Sequence, residues 1–565
     1  MKPISATYAI GVFMFKPELF NSLKGYNGKS FLSDLIAGII VGIVALPLAI
    51  AFAIASGVGP ERGLFTAIVA GFCISFFGGS KVQIGGPTGA FAVIVFGVVQ
   101  EFGFAGLATA TVLAGIMLIL LGVFKMGGLV KFIPYTIVTG FTAGIAVTIF
   151  VGQIGDFLGL TTGEMPGDFI GKIGVYAKTI GTINWYSFLM ALISLVVIFV
   201  WPKINKKIPG SLIVIIVATL LNLVFEKYFG WHTDTIGSRY GEIPSSLPAP
   251  SLPDFSIAAI TKLFPTAISI AVLAAIESLL SAVVADGMIG SKHDSNTELV
   301  AQGIANIASP LFGGIPATGA IARTATNIKN GGRTPIAGII HAVVLLLIMM
   351  LLGKYAVYIP MAALSAVLVS VAWNMAGLPA VKALLKGQKS DICVLLVTFL
   401  ITVFVDLTVA IEIGLGFAAF FFIKKMIDVS EVQTKQNVLT GGITDNGKEE
   451  DIEIPGKTVV YEIDGPLFFG TVRKFELAME KADIECKAFV IRMRNTNYID
   501  AGGLKALEQC KEACDRKKIT IILSGVHTQP YLLMEKTGML DLLGKENVFE
   551  NISDALNRAK EITNK

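Results

Sequence analysis

The chain has 565 residues, of which 54% are hydrophobic and 15% charged, and its mean hydropathy is +0.72. Soluble globular proteins carry about 25% charged residues, so this composition excludes a water-soluble enzyme built of several ordinary domains. The net charge of +4 is small for the length and forms no basic tract, which excludes a nucleic-acid-binding protein.

Charge is distributed unevenly along the chain. Residues 1–430 hold 45 charged residues, whereas the much shorter segment 431–565 holds 41. This change in density predicts a domain boundary near residue 430, with a membrane part before it and a soluble part after it. We therefore divide the chain into four regions: an N-terminal segment 1–30, a transmembrane domain 31–430, a linker 431–455 and a soluble domain 456–565.

Apolar stretches long enough to cross a bilayer as helices recur through the first region, since a span needs about 17–25 such residues. Ten are clear, and four weaker ones are rich in Gly, Thr and Pro. The fourteen predicted spans are 34–56, 63–79, 84–100, 104–124, 133–154, 185–201, 209–226, 265–286, 297–312, 316–328, 335–352, 358–376, 391–405 and 407–427. An even number predicts that both termini lie on the same side of the membrane.

The distribution of basic residues supports this count. With the N-terminus inside, the inner segments hold 18 Lys and Arg and the outer segments hold 7. An excess of positive charge marks the cytoplasmic side of a membrane protein. The sequence therefore predicts a multi-pass protein of the inner (plasma) membrane with both termini in the cytoplasm.

Two of the weaker spans share a motif. One runs from Phe77-Gly78-Gly79 to Gly86-Pro87-Thr88-Gly89-Ala90, and the other from Phe312-Gly313-Gly314 to Pro316-Ala317-Thr318-Gly319-Ala320. They are the third and the tenth spans, and a separation of seven reverses the direction of equivalent spans. The sequence therefore predicts two halves related as inverted repeats.

Gly and Pro interrupt a membrane helix, and the backbone groups that they free need partners inside the protein or in a wet cavity. A half-helix that begins near mid-membrane points its free N–H groups and the positive end of its dipole at that place. Matching interruptions in two halves are typical of the substrate site of a transporter, and two facing helix starts favour an anion. The alternative is that both segments are kinked packing helices.

Two ionisable residues fall within the predicted spans. Arg323 follows the second interrupted segment, and its planar, positive side chain suits an oxyanion. Glu277 lies near the middle of span 265–286, with Ser281 one turn away. A carboxyl group there can carry a proton, or it can form a cation site together with Ser281. The alternatives are a snorkelling Arg323 and a structural ion pair between the two residues.

The soluble region alternates predicted strands (457–463, 488–493 and 519–523) with predicted helices (470–482, 502–516, 528–538 and 551–562). This order predicts a small α/β layer domain. No nucleophile–base pair and no metal-ligand cluster stands out among the four histidines, so we expect no enzymatic activity, no metal and no cofactor. The five cysteines have no CxxC spacing and are expected to be reduced, buried thiols.

The whole chain resembles the SulP sulfate-permease family, which is the solute carrier 26 type of anion transporter. The matching residues are Ala45-Leu46-Pro47, Gly57 to Pro60, Pro87 to Gly89, Glu277 with Val283 to Asp286, Asn306 to Gly314, Thr318 to Ala320, Arg323 to Ala325 and Gly331 to Thr334. The soluble region resembles a STAS domain, whose hallmark loop corresponds to residues 498–504.

This resemblance implies an α-helical membrane protein of fourteen spans, arranged as seven-plus-seven inverted repeats in a core domain and a gate domain, followed by a STAS domain. It implies that Thr88, Gly319 and Ala320 line the anion site and that Arg323 lies near; Gly89 and Thr318 belong to the same motifs. The acidic position coordinates sodium in relatives that carry Asp plus Thr. Because this chain has Glu277 and Ser281 there, a proton is favoured over sodium.

The predicted function is secondary active transport of a small inorganic oxyanion by alternating access, with sulfate as the expected substrate. Sodium-coupled bicarbonate transport and dicarboxylate transport are the alternatives within this class, and a passive anion channel or a STAS-signalling membrane sensor are alternatives outside it. The resemblance also implies a homodimer and a cytosolic protein partner for the STAS domain. Phosphorylated STAS domains carry Ser where this chain has Gly502, so we expect no such switch here.

Overall fold

The computed structural model describes residues 15–128, 134–163, 165–205, 209–405, 407–435, 438–443, 449–474, 476 and 486–564. The predicted N-terminal segment therefore lies outside the described residues up to position 14. The chain divides into two compact units, Met1–Leu415 and Gly416–Lys565.

The first unit is almost entirely helical. Its helices, numbered in chain order, are α1 Glu18–Ser22, α2 Gly28–Ala55, α3 Pro60–Phe77, α4 Gly89–Val123, α5 Tyr135–Gly152, α6 Ile154–Leu158, α7 Phe169–Thr179, α8 Trp185–Ile204, α9 Gly210–Phe229, α10 Ile236–Tyr240, α11 Ile257–Ile289, α12 Ser295–Leu311, α13 Ile321–Lys329, α14 Pro335–Leu352, α15 Met361–Met375, α16 Leu378–Leu384, α17 Lys389–Phe404 and α18 Leu407–Val429, of which α18 continues into the second unit.

Within the described residues, nine helices are long and apolar enough to cross a membrane. Each of the fourteen predicted spans overlaps a helix, but the third and tenth begin about five residues before their helices, and the fourteenth, on α18, crosses into the second unit. The third and fourth predicted spans lie on one long element, α4, which turns sharply at Gly103, where the backbone has φ +66° and ψ −177°. The short helices α1, α6, α7, α10 and α16 were not predicted.

The two halves of the unit repeat the same sequence of elements. In the first half, α3 leads through strand β1 (Gly85–Gly86) into α4; in the second, α12 leads through strand β2 (Thr318–Gly319) into α13. The two strands pair antiparallel, with Gly85 opposite Gly319 and Gly86 opposite Thr318. The two predicted helix interruptions are therefore short strands, one in each half, and these strands pair to form one ladder.

Small residues let the two halves approach closely. A Cβ atom at Gly115 of α4 would lie 2.7 Å from the carbonyl oxygen of Gly303 in α12, and a Cβ atom at Gly303 would lie 2.5 Å from the carbonyl oxygen of Gly115. Both distances are too short for a side chain, so only glycine allows this crossing. The two helices pack backbone against backbone, as is common in membrane proteins.

The membrane unit has two ends, which we name by α2. At the near end, where α2 begins, the buried Asp34 carboxylate accepts hydrogen bonds from the backbone nitrogens of Arg333 and Thr334, at 2.8 and 3.3 Å, and so holds the start of α14. At the far end, where α2 ends, Ile54 and Gly57 share a cavity with the start of α15.

The second unit holds a five-stranded sheet. Its strands are β3 Glu431–Lys435, β6 Thr458–Asp464, β7 Ala488–Asn495, β8 Thr520–Ser524 and β9 Val548–Phe549. They are arranged in the order β3-β6-β7-β8-β9, with β3 antiparallel to β6 and the remaining pairs parallel. A separate hairpin pairs β4 Val438–Ile443 with β5 Glu449–Glu453. The segment predicted as a linker, 431–455, thus contains three strands.

The described helices of this unit are α19 Ala501–Arg516, α20 Thr528–Lys536, α21 Met539–Leu543 and α22 Ile552–Thr563. Three of them match the predicted helices 502–516, 528–538 and 551–562, whereas the predicted helix 470–482 lies largely outside the described residues. Asp500 caps α19 by accepting a hydrogen bond from the Gly503 nitrogen at 2.8 Å. This cap lies in the loop that resembles the STAS hallmark.

The cysteines of the second unit belong to its core. Cys510 and Cys514 are buried in α19, and Cys486 packs against the same apolar cluster. Burial raises the pKa of the Cys486 thiol to about 11. This thiol is therefore protonated at neutral pH, which makes it a poor nucleophile and metal ligand.

Candidate functional site

The candidate site lies where the β1–β2 ladder joins the two halves of the membrane unit. The ladder is extended by a hydrogen bond of 2.8 Å from the Ala320 nitrogen to the Ile84 carbonyl. A two-residue ladder is only about 7 Å long. Because α4 begins three residues after β1 and α13 begins two residues after β2, the starts of both helices lie close together.

Neither helix start has a side-chain cap. The first N–H groups of a helix have no acceptor within the helix, so both starts present free donors and the positive ends of their dipoles. Ala320 has no side-chain acceptor, and Thr88 directs its hydroxyl elsewhere. The ladder therefore joins two helix starts that can hold an anion through backbone N–H groups.

Thr88 and Glu277 are in direct contact. The Thr88 hydroxyl donates a hydrogen bond of 2.8 Å to Oε2 of Glu277, across from α11. Both side chains are only partly buried. Ser281 lies one turn along α11; its hydroxyl is buried and has no hydrogen-bond partner among the described residues. The structure thus brings the acidic residue to the residue that precedes α4.

Gly89, Thr318, Gly319 and Ala320 are buried at or beside the ladder. A Cβ atom at Gly89 would lie 3.1 to 3.2 Å from the side chains of Phe52, Ile149 and Met375. The Thr318 hydroxyl donates to the Ala274 carbonyl at 3.2 Å, so it is used within the protein. Backbone groups rather than hydroxyls are therefore the main donors that this part of the site offers.

Arg323 stands behind the ladder. Its side chain is 2% exposed, and Nη2 donates a hydrogen bond of 2.6 Å to the Pro87 carbonyl, just before Thr88. Nη1 is buried and has no hydrogen-bond partner among the described residues. Arg323 neither snorkels to the surface nor pairs with Glu277. It contributes positive charge behind the helix starts and holds the backbone that leads into α4.

Sequence reasoning missed a second carboxylate. Glu298 of α12 is fully buried, and its Oε2 accepts hydrogen bonds from the backbone nitrogens of Gly79 and Ser80, at 2.9 and 3.1 Å. Its Oε1 accepts from the side-chain amides of Gln83 and Gln302, both at 2.9 Å. Buried charges in membrane proteins mark function or essential structure. Glu298 lies in one of the weakly apolar predicted spans, and an acidic residue within a predicted span is the sequence feature that could have identified it.

Gln83 connects Glu298 to the ladder. A Cβ atom at Gly319 would collide with the amide nitrogen of Gln83 and would lie 2.5 Å from its Cδ. Since Glu298 holds this amide in place, Gln83 cannot simply turn away. Gly319 is therefore glycine because the oriented amide occupies the space that a side chain would need.

This arrangement predicts that Gly319→Ala overpacks the site. We expect a loss of about 1–3 kcal/mol in the free energy of unfolding, together with reduced transport of the protein's anion. Thermal unfolding in detergent and uptake into proteoliposomes measure both effects. Gly97→Ala is the matched control, because a Cβ atom at Gly97 meets no atom within 4 Å. A Gly319→Ala variant as stable and as active as Gly97→Ala would contradict the role of Gln83.

A cavity of about 1050 Å³ opens at the far end of the unit and reaches towards the site. Its lining includes Ala92 and Phe96 of α4, Ile149 of α5 and Met361 of α15. Ile149 is also one of the side chains that surround Gly89. The cavity and the surroundings of the start of α4 therefore share Ile149.

Paired helix starts inside the membrane unit, joined across its two halves and backed by a buried guanidinium, define a membrane transporter for anions. Comparison with known proteins identifies the family. Residues 31–398 match the sulfate permease family, and residues 450–555 match the STAS domain. The chain belongs to the sulfate permease family, and it is an anion transporter rather than an enzyme.

Three relatives illustrate the range of the similarity. YvdB of Bacillus subtilis, which is described as a putative sulfate transporter, is 44% identical over 94% of this chain and 98% of its own length. The bicarbonate transporter BicA of Synechocystis sp. is 30% identical over 94% of each chain. The murine Slc26a9 anion transporter in its inward-facing state shares the fold, with a TM-score of 0.86, 21% identity, and coverage of 99% of this chain and 96% of that structure.

Proposed function

We propose that this protein is a proton-coupled importer of sulfate that works by alternating access. In this proposal the anion lies between the starts of α4 and α13, bound by backbone N–H groups of the first turns of these helices and beside Thr88, Gly89, Thr318, Gly319 and Ala320. Arg323 supplies a fixed positive charge behind them. The observation that carries the proposal is the β1–β2 ladder, which holds the two uncapped helix starts together.

Coupling to a proton is proposed from the contact between Thr88 and Glu277. The acidic side chain touches the residue at the helix start, so gain or loss of its proton changes the charge and the hydrogen bonding beside the anion. A neutral Glu277 favours the entry of an anion, because a carboxylate would repel it. The proton and the anion would then be taken up together, with Ser281 offering a further oxygen one turn away.

Alternating access requires that the site open to one side at a time. The far-end cavity, whose lining includes Ile149 beside Gly89, supports an arrangement that is open towards the far end. The charge distribution favours a cytoplasmic near end, with both termini in the cytoplasm of a cell whose inner (plasma) membrane holds the protein. We further propose a homodimer and a cytosolic protein partner for the STAS domain.

The alternative substrate is bicarbonate, which the similarity to BicA favours. Radiolabelled sulfate, bicarbonate and succinate uptake into proteoliposomes, each with an inward proton gradient, an inward sodium gradient or no gradient, separates the possibilities. We expect accumulation of sulfate that depends on the proton gradient. Sodium-driven accumulation of bicarbonate would replace this proposal with the alternative, and uptake that ignores both gradients would indicate a passive channel. Protein-free liposomes provide the baseline.

A further inference from the structure

Three buried polar side chains behind the ladder have atoms that find no hydrogen-bond partner among the described residues. They are Nη1 of Arg323, both ring nitrogens of His341 and Oγ of Ser75. All three side chains are buried, at 2%, 0% and 3% exposure. His341 lies in α14 and Ser75 in α3, and the proposed function uses neither.

The three side chains lie close together around β1. A Cβ atom at Gly71 would lie 3.4 Å from Cε1 of His341 and 3.2 Å from the carbonyl oxygen of Gly85. A Cβ atom at Gly86, the next residue of the strand, would collide with Nη1 of Arg323. His341 and Arg323 therefore both face the β1 strand.

Ser75 extends this cluster towards the near end. Gly71 and Ser75 are one turn apart on α3, and Gly338 and His341 are one turn apart on α14. A Cβ atom at Gly338 would lie 2.8 Å from Cβ of Ser75. The two helices thus interlock through these positions, and Ser75 lies two residues before the end of α3 at Phe77. The polar atoms form a series from the near end to the back of the ladder.

Such a series is energetically unfavourable unless something completes its hydrogen bonds. A buried polar group without a partner has lost its hydrogen bonds to water without replacement, and three such side chains in one place form a polar site. Ordered water is the usual partner of such groups in proteins, and one buried water makes about three hydrogen bonds. Arg323 can only donate, whereas Ser75 and His341 can donate and accept.

We propose that Ser75, His341 and Arg323 hold a chain of ordered water that carries the coupling proton between the near end and the anion site. This inference rests on the proposed proton coupling. His341 is the relay: one ring nitrogen takes a proton from a neighbouring water while the other releases its proton to the next water, so no charge stays on the ring. Arg323, which is held at the Pro87 carbonyl, only donates hydrogen bonds and therefore orients the water. The chain ends at the Thr88 hydroxyl, which accepts a proton from the last water while it passes its own proton to Glu277.

The surroundings of His341 favour this neutral relay. α13 presents the positively charged Arg323, and α3 places Gly71 and Ser75 near the ring. α2 contributes Gly42, which lies against the His341 backbone carbonyl, and β1 contributes the Gly85 carbonyl. Among the described residues packed here, Arg323 is thus the charged group that faces the ring, and the backbone carbonyl of Gly338, one turn back on α14, also lies beside it.

His341→Phe and Ser75→Ala test the relay in proteoliposomes. Two quantities are measured: sulfate accumulation driven by a proton gradient, and exchange of sulfate for sulfate at equal pH. We expect His341→Phe to reduce the driven accumulation to the level seen without a gradient while exchange continues. Ser75→Ala should lower the driven accumulation in the same direction. Ser365→Ala is the matched control, because its buried hydroxyl already donates to the Ala362 carbonyl at 2.8 Å.

The outcomes separate the relay from the proposed function. Wild-type protein without proton-driven accumulation would overturn proton coupling, and the relay with it. Wild-type coupling that persists in both variants would overturn the relay alone. If His341→Phe loses exchange as well, the Ser75→Ala variant distinguishes the explanations. The Ser75 hydroxyl has no hydrogen-bond partner among the described residues, so its removal should affect proton-driven accumulation only if the water chain carries protons. Normal driven accumulation in Ser75→Ala would then overturn the relay.

Discussion

Arg323→Met is expected to reduce sulfate uptake by about ten- to hundredfold. A hydrogen bond from a charged group contributes about 1.5–3 kcal/mol, and each 1.4 kcal/mol corresponds to a factor of ten. Arg323 donates such a bond to the Pro87 carbonyl, and it also supplies positive charge behind both helix starts. Methionine fills a similar buried volume without either contribution. Initial rates of radiolabelled sulfate uptake and sulfate binding to purified protein measure the effect.

Lys329→Met is the matched control for this prediction. It removes one positive charge from the same helix, α13, at an exposed position in its last turn. We expect nearly normal uptake from this variant, whereas Arg323→Lys should rescue little because an ammonium group lacks the planar fork of arginine. Normal sulfate binding by a folded Arg323→Met protein would remove Arg323 from the site.

Glu277→Gln is expected to uncouple transport from the proton gradient. Glutamine keeps the size of the side chain and can accept the Thr88 hydroxyl through its own oxygen, but it neither binds nor releases a proton in the physiological range. Sulfate exchange at equal pH should therefore persist, whereas accumulation driven by a proton gradient should fall to the level of passive equilibration. Paired exchange and accumulation assays in the same proteoliposomes measure this separation.

Glu101→Gln serves as the control, because Glu101 is an exposed carboxylate of α4 in the same unit. This variant should retain both activities. If Glu277→Gln accumulates sulfate against a gradient as the wild type does, Glu277 is not the coupling residue. If it loses exchange as well as accumulation, the carboxylate serves anion binding or the structure of α11 instead.

The membrane fold could be predicted from the sequence because a bilayer imposes simple constraints. Each span needs a minimum length of apolar residues, and only Gly and Pro interrupt it at low cost. The repeated motif at 86–90 and 316–320 therefore located both interruptions and their inverted relation. The short strands that join them follow from the same motif, since the backbone freed by an interruption must pair somewhere.

The contacts of the site could not be predicted in the same way. Thr88 and Glu277 are 189 residues apart, and no local pattern specifies that they meet. The direction of Arg323, away from open space and towards Pro87, depends on how α13 packs behind β1. Glu298 and Gln83 lie in segments of low hydropathy whose polar residues look solvent-exposed until the two halves are assembled. The strands within 431–453 lack the alternating apolar pattern that identified the others.

The β1–β2 ladder also bears on how the protein is made. Gly85 and its partner Gly319 are separated by more than two hundred residues. The polar backbone edge of β1 therefore has no pairing strand until the ribosome has synthesised most of the membrane unit. During that interval the edge is unsatisfied in a medium that offers no water. A nascent chain that stalls before residue 318 would therefore expose this defect, which makes such fragments expected targets of membrane quality control.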